Sequence, residues 1–327
     1  MSPVPMAGAA GASRRSGPVR CRLRALCLLA GLASLAACGP PPPPVGLFPD
    51  QRAGDLGGLD LADEGGAGDL GEADAATGDE LLDPRGGWIF WRQTATCVNV
   101  LGIGFELLAD ALSVVELEDL GGGLVRARQQ FCQLQQTPVL GLATSASPAL
   151  AESIPVADWH LMLAGRRPGD PFQVQDTLEI WGMNLREPAT EELPTTPDDP
   201  RVYDMDGDGK PGATLVLGQE VCELYVVQRG FVSWSGQIAS PLRLAGGGTN
   251  RSTQVVLDTT SGFCATQYDV RYLDDRNHFV MLRADGQQGA PDADLDDDGR
   301  ISCAEARAFG LAPFSPPTVD DSHCQEP

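Results

Sequence analysis

The sequence predicts a mainly β protein, an antiparallel β-barrel or β-sandwich, on three observations. Aromatic and β-branched residues appear abruptly at Trp88 and then gather in short runs. Turn formers separate the runs: 39 Gly and 26 Pro in 327 residues are enough to break the chain repeatedly. Several runs alternate polar and apolar side chains, the period of a half-buried strand. The strand-like runs are Trp88 to Thr94, Thr96 to Val100, Ser113 to Leu117, Leu124 to Leu134, Trp159 to Ala164, Phe172 to Met183, Ala213 to Gly218, Cys222 to Arg229, Phe231 to Ile238, Pro241 to Leu244, Thr253 to Leu257 and His278 to Arg283. Glu223 to Arg229, then Gly230, then Phe231 to Gly236 read as a hairpin. Phe105 to Leu112 is the best candidate for a short helix, and Glu187 to Pro200, broken by Pro188, Pro194, Pro197 and Pro200, is a polar loop. There is no convincing internal repeat, which argues against a propeller.

Charge excludes whole function classes. With 45 Asp and Glu against 23 Lys and Arg the formal charge is −22, which repels phosphate backbones and rules against nucleic-acid binding. Lys210 is the one lysine, His160, His278 and His323 are the three histidines, and neither a GxxxxGK[ST] nor a GxSxG string occurs. No enzyme is expected.

Arg14, Arg15, Arg20, Arg22 and Arg24 precede an apolar stretch, Ala25 to Ala37, shorter than the roughly 20 residues that span a bilayer. It reads as an export signal. Its end, Leu35-Ala36-Ala37-Cys38-Gly39, resembles the lipobox of bacterial lipoproteins. That resemblance implies cleavage before Cys38, acylation of Cys38, and an outer-membrane destination, because Gly39 stands where an Asp would favour inner-membrane retention. The expected membrane partner is therefore reached through the acylated Cys38, with several acyl chains giving stable anchoring. Removing residues 1–37 discards five arginines and no acids, so the mature charge becomes −22 − 5 = −27.

Domain organisation follows: 1–37 a lipoprotein signal peptide, 38–85 an acidic Pro/Gly-rich disordered linker, 86–286 the antiparallel β domain, and 287–327 a C-terminal calcium loop and tail. Pro40 to Pro44 form a polyproline stub, and the spacer after it carries eleven acids against Arg52 and Arg85, too polar to build a core. Six cysteines remain after the leader and Cys38: Cys97, Cys132, Cys222, Cys264, Cys303 and Cys324. An even count in an exported chain points to disulfides. A meander of adjacent strands favours neighbour pairing, Cys97 with Cys132, Cys222 with Cys264 and Cys303 with Cys324.

Two acidic segments have ligand spacing for a hard cation, which takes six to eight oxygens. In Asp294-Leu295-Asp296-Asp297-Asp298-Gly299-Arg300-Ile301-Ser302-Cys303-Ala304-Glu305, alternate carboxylates (Asp294, Asp296, Asp298), the Arg300 carbonyl, Ser302 acting through water and a final Glu305 follow the order of a twelve-residue calcium loop, with Gly299 at its sharp turn. This strongly resembles EF-hand proteins. Gly286 to Pro291 cannot form a long entering helix, so the closer likeness is to the isolated loops of dockerin-type modules, which implies a structural site for Ca2+. The second segment, Asp204-Met205-Asp206-Gly207-Asp208-Gly209-Lys210-Pro211-Gly212, resembles the DxDGDG calcium loops of FG-GAP modules. Asp204, Asp206, Asp208 and the Lys210 carbonyl would be its ligands. Those families place another carboxylate where Gly212 stands, so Asp198, Asp199 or water is expected to complete the shell.

Weaker marks remain. Gly86-Gly87-Trp88 is similar to the G-x-W that opens lipocalins and raises an alternative, a barrel carrying a small apolar ligand. His160 lies two residues after Asp158 without further catalytic signature, Asn250-Arg251-Ser252 fits a glycosylation acceptor that a bacterial lipoprotein leaves bare, and Gly246 to Gly248 precede no helix, so they are no phosphate cradle. The functional expectation is a monomeric, calcium-binding, lipid-anchored protein of the bacterial cell envelope, a binding or structural module without catalysis.

Overall fold

A computed structural model describes residues 81–100, 103–218, 222–264 and 270–325, all within one compact unit. The leader, Cys38 and the spacer up to residue 80 lie outside the described residues. The strands are β1 (Gly86–Val100), β2 (Ile103–Gly121), β3 (Leu124–Gln136), β4 (Thr144–Ala146), β5 (Ala157–Leu163), β6 (Pro171–Val174), β7 (Thr177–Trp181), β8 (Ala213–Leu217), β9 (Cys222–Ser240), β10 (Arg243–Thr259), β11 (Val270–Tyr272) and β12 (His278–Arg283). Among the described residues two short α-helices accompany them, α1 (Pro148–Ser153) and α2 (Cys303–Phe309), with a few single turns of 3-10 helix. None of the described helices is long and apolar enough to cross a membrane.

The expectation of a mainly β, antiparallel protein holds. The twelve strands form one sheet that closes partly into a ring, β1–β2–β3–β5–β6–β9–β10–β12 and back to β1, each step an antiparallel pairing. Further along the long strands β4, β7 and β8 replace β5 and β6 as neighbours of β3 and β9. Inside the ring, Phe279 is a hub: its ring meets Phe90 at 5.9 Å, Phe172 at 5.8 Å and Trp234 at 5.3 Å, all edge-to-face. Trp88, Val115, Val125, Leu161 and Met281 fill the space around them, and Leu82, which precedes β1, joins the same core. The folded body therefore begins slightly before Gly86.

Strand β1 buries both faces. Trp88 and Phe90 point into the ring, while Ile89 and Trp91 point outward against Ala293, Ala306 and Phe314 of the C-terminal segment. Paired with it residue for residue, β2 does the same, with Val115 and Leu117 inside and Leu112 outside. This explains the first correction: Phe105 to Leu112, expected as a short helix, is strand. A strand covered on both faces loses the polar–apolar alternation that would have marked it.

The hairpin expected around Gly230 is also corrected. Strand β9 runs through, with Gly230 paired to Ser252 of β10 on one side and Glu179 of β7 on the other. The true β9–β10 turn lies at Pro241-Leu242, inside a run read as strand. With pairing on both edges, the alternation on either side of Gly230 belongs to one long strand.

Of the three expected disulfides only Cys222–Cys264 forms; the others are Cys97–Cys324 and Cys132–Cys303. Neighbour pairing fails because Cys97 and Cys132 sit at different heights two strands apart: Cys97 faces Glu106 of β2, whereas Cys132 bulges out beside Leu112 and Ser113. The C-terminal segment folds back over the outer wall and delivers Cys303 to that bulge and Cys324 to β1. Bridges with sequence separations of 171 and 227 remove more unfolded-chain entropy than the short Cys303–Cys324 loop would. An ion pair on a buried carboxylate reinforces the fold-back: Glu106 pairs with the half-buried Arg276 at 2.9 Å and accepts from the Asp320 amide at 2.6 Å.

Trp88 is fully buried and its Nε1 donates to the Pro84 carbonyl at 2.9 Å. Trp88→Ala is therefore expected to cost about 3–5 kcal/mol, read from the shift of the urea midpoint of the oxidised protein.

Candidate metal sites

Among the described residues the structure gathers two groups of carboxylates in which one oxygen from each lies within 4.8 Å of the others: Asp204, Asp206 and Asp208, and separately Asp294, Asp296 and Glu305. Each group could hold a metal ion. Both come from the loops singled out in the sequence, and both loops are built alike.

The first loop enters β8. Met205, between two aspartates, is buried with Leu150, Trp181, Ala213, Leu215 and Val226, and its sulfur accepts from the Gly182 amide at 3.2 Å. With this residue as anchor, the flanking carboxylates turn to the other side. Asp204 Oδ1 accepts from the amides of Gly207 and Asp208 at 2.8 and 3.2 Å, and its Oδ2 from Gly209 at 2.9 Å. Asp208 Oδ1 accepts from the Lys210 amide at 2.8 Å. Gly207 and Gly209 take positive φ, +73° and +82°, the left-handed region that glycine enters without a Cβ penalty.

The second loop repeats the pattern. Asp294 Oδ1 accepts from the Asp298 amide at 3.1 Å and Oδ2 from Gly299 at 2.7 Å, while Asp298 Oδ1 accepts from Arg300 at 2.9 Å. The left-handed positions are Asp297 and Gly299 at +58° and +83°. Glu305, 8% exposed, closes the loop: its carboxylate accepts from the amides of Leu295, Asp296 and Ser302, the last in a capping box that starts α2. The loop is docked on the barrel wall, with Ile301 and Cys303 packed on the cluster that holds Ile89 and Trp91. No helix enters it, as Gly286 to Pro291 predicts.

Some expected ligands stand apart. Asp298 is outside the second carboxylate group. Asp199 is spoken for: Arg201 binds it through Nε and Nη2 at 3.0 and 2.7 Å, and that contact holds its pKa down at about 2. Asp198 is exposed and not in the group. A residue beyond the motif reaches the first group instead. Thr214, in β8 and 4% exposed, donates from Oγ1 to Asp208 Oδ2 at 2.8 Å and from its amide to Asp206 Oδ2 at 3.3 Å. No spacing rule points to it, because strand pairing and not the loop puts it there.

The electrostatics are those of crowded anions. Burial, then the charge of Asp208, raises the pKa of Asp206. For Asp296 a hydrogen bond from the Asp298 amide pulls the pKa down, but the charges of Asp298, Glu305 and Asp294 with partial desolvation outweigh it, and the pKa is raised. Glu305 is lowered, foremost by the Ser302 amide. Like charges at such separations repel by about 1 kcal/mol per pair even in water-like dielectric. One atom is left over: Asp206 Oδ1 is buried and has no hydrogen-bond partner.

No protein-family model, curated protein or solved structure matches this chain.

The remaining marks resolve differently. The ring interior beside Phe90, Trp159 and Trp234 keeps a void of only about 10 Å³, room for a water at most, and Arg92 and Glu179 pair across it at 2.7 Å. A larger hollow of about 230 Å³ lies outside the barrel beside Cys132, Ser147 and Arg307, and the Arg307 guanidinium there is bound to the Cys132 carbonyl at 3.1 Å. His160 is hydrogen-bonded to Gln175 at 3.1 Å.

The raised pKa of Asp206 has a sign that can be measured. The folded state holds that proton more tightly than the unfolded state does, so without metal its ionisation lowers stability as pH rises from the ordinary value near 3.8 through the raised folded value. Asp206→Asn is therefore expected to raise the melting temperature in chelator at pH 7 and to leave it unchanged or lower once metal is added, as calorimetric melts in the two conditions will show.

Proposed function

We propose that this chain is a calcium-binding, lipid-anchored protein of the bacterial cell envelope, acting as a non-catalytic binding or structural module. The observation that carries the calcium reading is Asp206 Oδ1, a buried carboxylate oxygen with no partner, inside a group of three carboxylates whose remaining oxygens are already organised by backbone amides and the Thr214 hydroxyl. A buried unpaired carboxylate oxygen is costly, and a cation in the group satisfies it. All-oxygen donors suit a hard ion, Ca2+ or Mg2+, and a loop of neutral carbonyls and carboxylates with no fixed octahedron suits the larger one. The Asp294 loop fits the same ion through Asp294, Asp296, Glu305 and the Arg300 carbonyl.

The role of the ion is to brace. Each loop joins elements of the body, and the second holds the C-terminal segment over Ile89 and Trp91. Joining all six cysteines beyond Cys38 in three disulfides suits an oxidising compartment. The lipobox-like leader supplies the anchor and the acidic spacer the distance from the membrane.

Calorimetric titration of the oxidised protein should give two sites with dissociation constants on the order of 0.1 to 1 mM, as for extracellular modules. Asp204→Ala and Asp294→Ala should each remove one. At tenfold excess over the dissociation constant each site adds about 1.4 kcal/mol of stability, visible as a higher melting temperature. Absence of heat and of any shift would overturn the calcium reading. The anchor has its own test: Cys38→Ala should abolish labelling by a palmitate analogue and move the protein from the membrane to the soluble fraction of the producing bacterium.

A further inference from the structure

The Asp204 loop has a shortfall and an obstruction. Three carboxylates and one main-chain carbonyl fall short of the six to eight oxygens that calcium takes. The position where a further carboxylate is expected cannot carry one. Gly212 has φ +84°, and a Cβ there would lie 2.3 Å from the Val226 carbonyl oxygen. From the other side Gly182 packs so closely that its own Cβ would lie 2.7 Å from the Gly212 Cα. Two backbones meet at position 212 and leave no volume for a side chain.

The strand then turns back to the site. Thr214, two residues on, is paired with Tyr225 of β9 and is therefore held by the sheet, not by the loop. Its hydroxyl and its amide each take one oxygen from a different carboxylate, Asp208 Oδ2 and Asp206 Oδ2. For Asp206 this leaves Oδ1, the buried oxygen with no partner. From this geometry, and resting on the calcium reading above, we infer that Thr214 is the positioning residue of the Asp204 site. It fixes two of the three carboxylates from a rigid strand, so that the orphaned Asp206 oxygen and its neighbours present themselves to the ion together. Losing a ligand-orienting partner of this kind typically costs about 10- to 100-fold in metal affinity.

The experiment is a calcium titration of the full oxidised chain carrying Asp294→Ala, so that only the Asp204 loop responds. In that parent, Thr214→Val, which keeps the branched shape and removes the hydroxyl, is expected to weaken calcium binding about 10- to 100-fold. Thr214→Ser should restore it. Combined with Asp208→Ala, the valine substitution should lose most of its effect, because the carboxylate it acts through is gone. Melting in chelator establishes that each variant is folded, and Thr214→Ala replaces the valine variant if that one is not. Equal binding by parent and hydroxyl-free variant overturns the inference, as does a serine variant as weak as the valine one. Calcium binding absent from the parent overturns the calcium reading of the Asp204 loop, and this inference with it.

Discussion

Everything in this protein turns on a strand that must be buried on both sides. Closing the sheet puts Trp88 and Phe90 of β1 into a lumen packed around Phe279, and the same strand presents Ile89 and Trp91 to the outside. Apolar area of that size left in water would forgo about 25 cal/mol for each Å² that burial removes. The chain answers with its own C-terminal segment, which crosses the outer wall and covers those side chains with Ala293, Ala306 and Phe314.

The crosslinks follow from that crossing. A segment that returns over β1, β2 and β3 brings Cys303 to the bulge at Cys132 and Cys324 to Cys97, so two of the three disulfides join the end of the chain to its beginning. The Glu106–Arg276 pair secures the same return from the β2 side, and the Asp320 amide on Glu106 draws the tail into it. Because the Glu106 carboxylate is fully buried, removing Arg276 would strand its charge, which is destabilising.

The two acidic loops are placed by the same packing logic. In each, one apolar residue is the anchor, Met205 for the first and Ile301 for the second, and the carboxylates are what remains on the other side. The loops then organise themselves through backbone amides bound to the first aspartate, with two left-handed residues at matching positions. Where they differ is in closure. Glu305 closes the second from within the motif, through the cap of α2. The first relies on Thr214, which belongs to the sheet.

The sequence by itself determined what depends on near neighbours: the strand runs, the turns, and the two aspartate loops, whose geometry is fixed by spacing and by glycines that tolerate positive φ. It was legible from residues 204–209 and 294–305 alone that carboxylates would converge. Tertiary structure decided whatever joins distant residues. Alternation could not mark Phe105 to Leu112 as strand, since its outer face is covered by residues two hundred positions away, nor could spacing reveal Cys132–Cys303, since that bridge depends on where the C-terminal segment crosses. Thr214 is the same case at the site: sheet pairing places it, and the backbone crowding that empties position 212 is invisible until β8 and β9 lie side by side. Local chemistry is written in order along the chain, while contacts between remote segments are chosen by the burial of surfaces that exist only after folding.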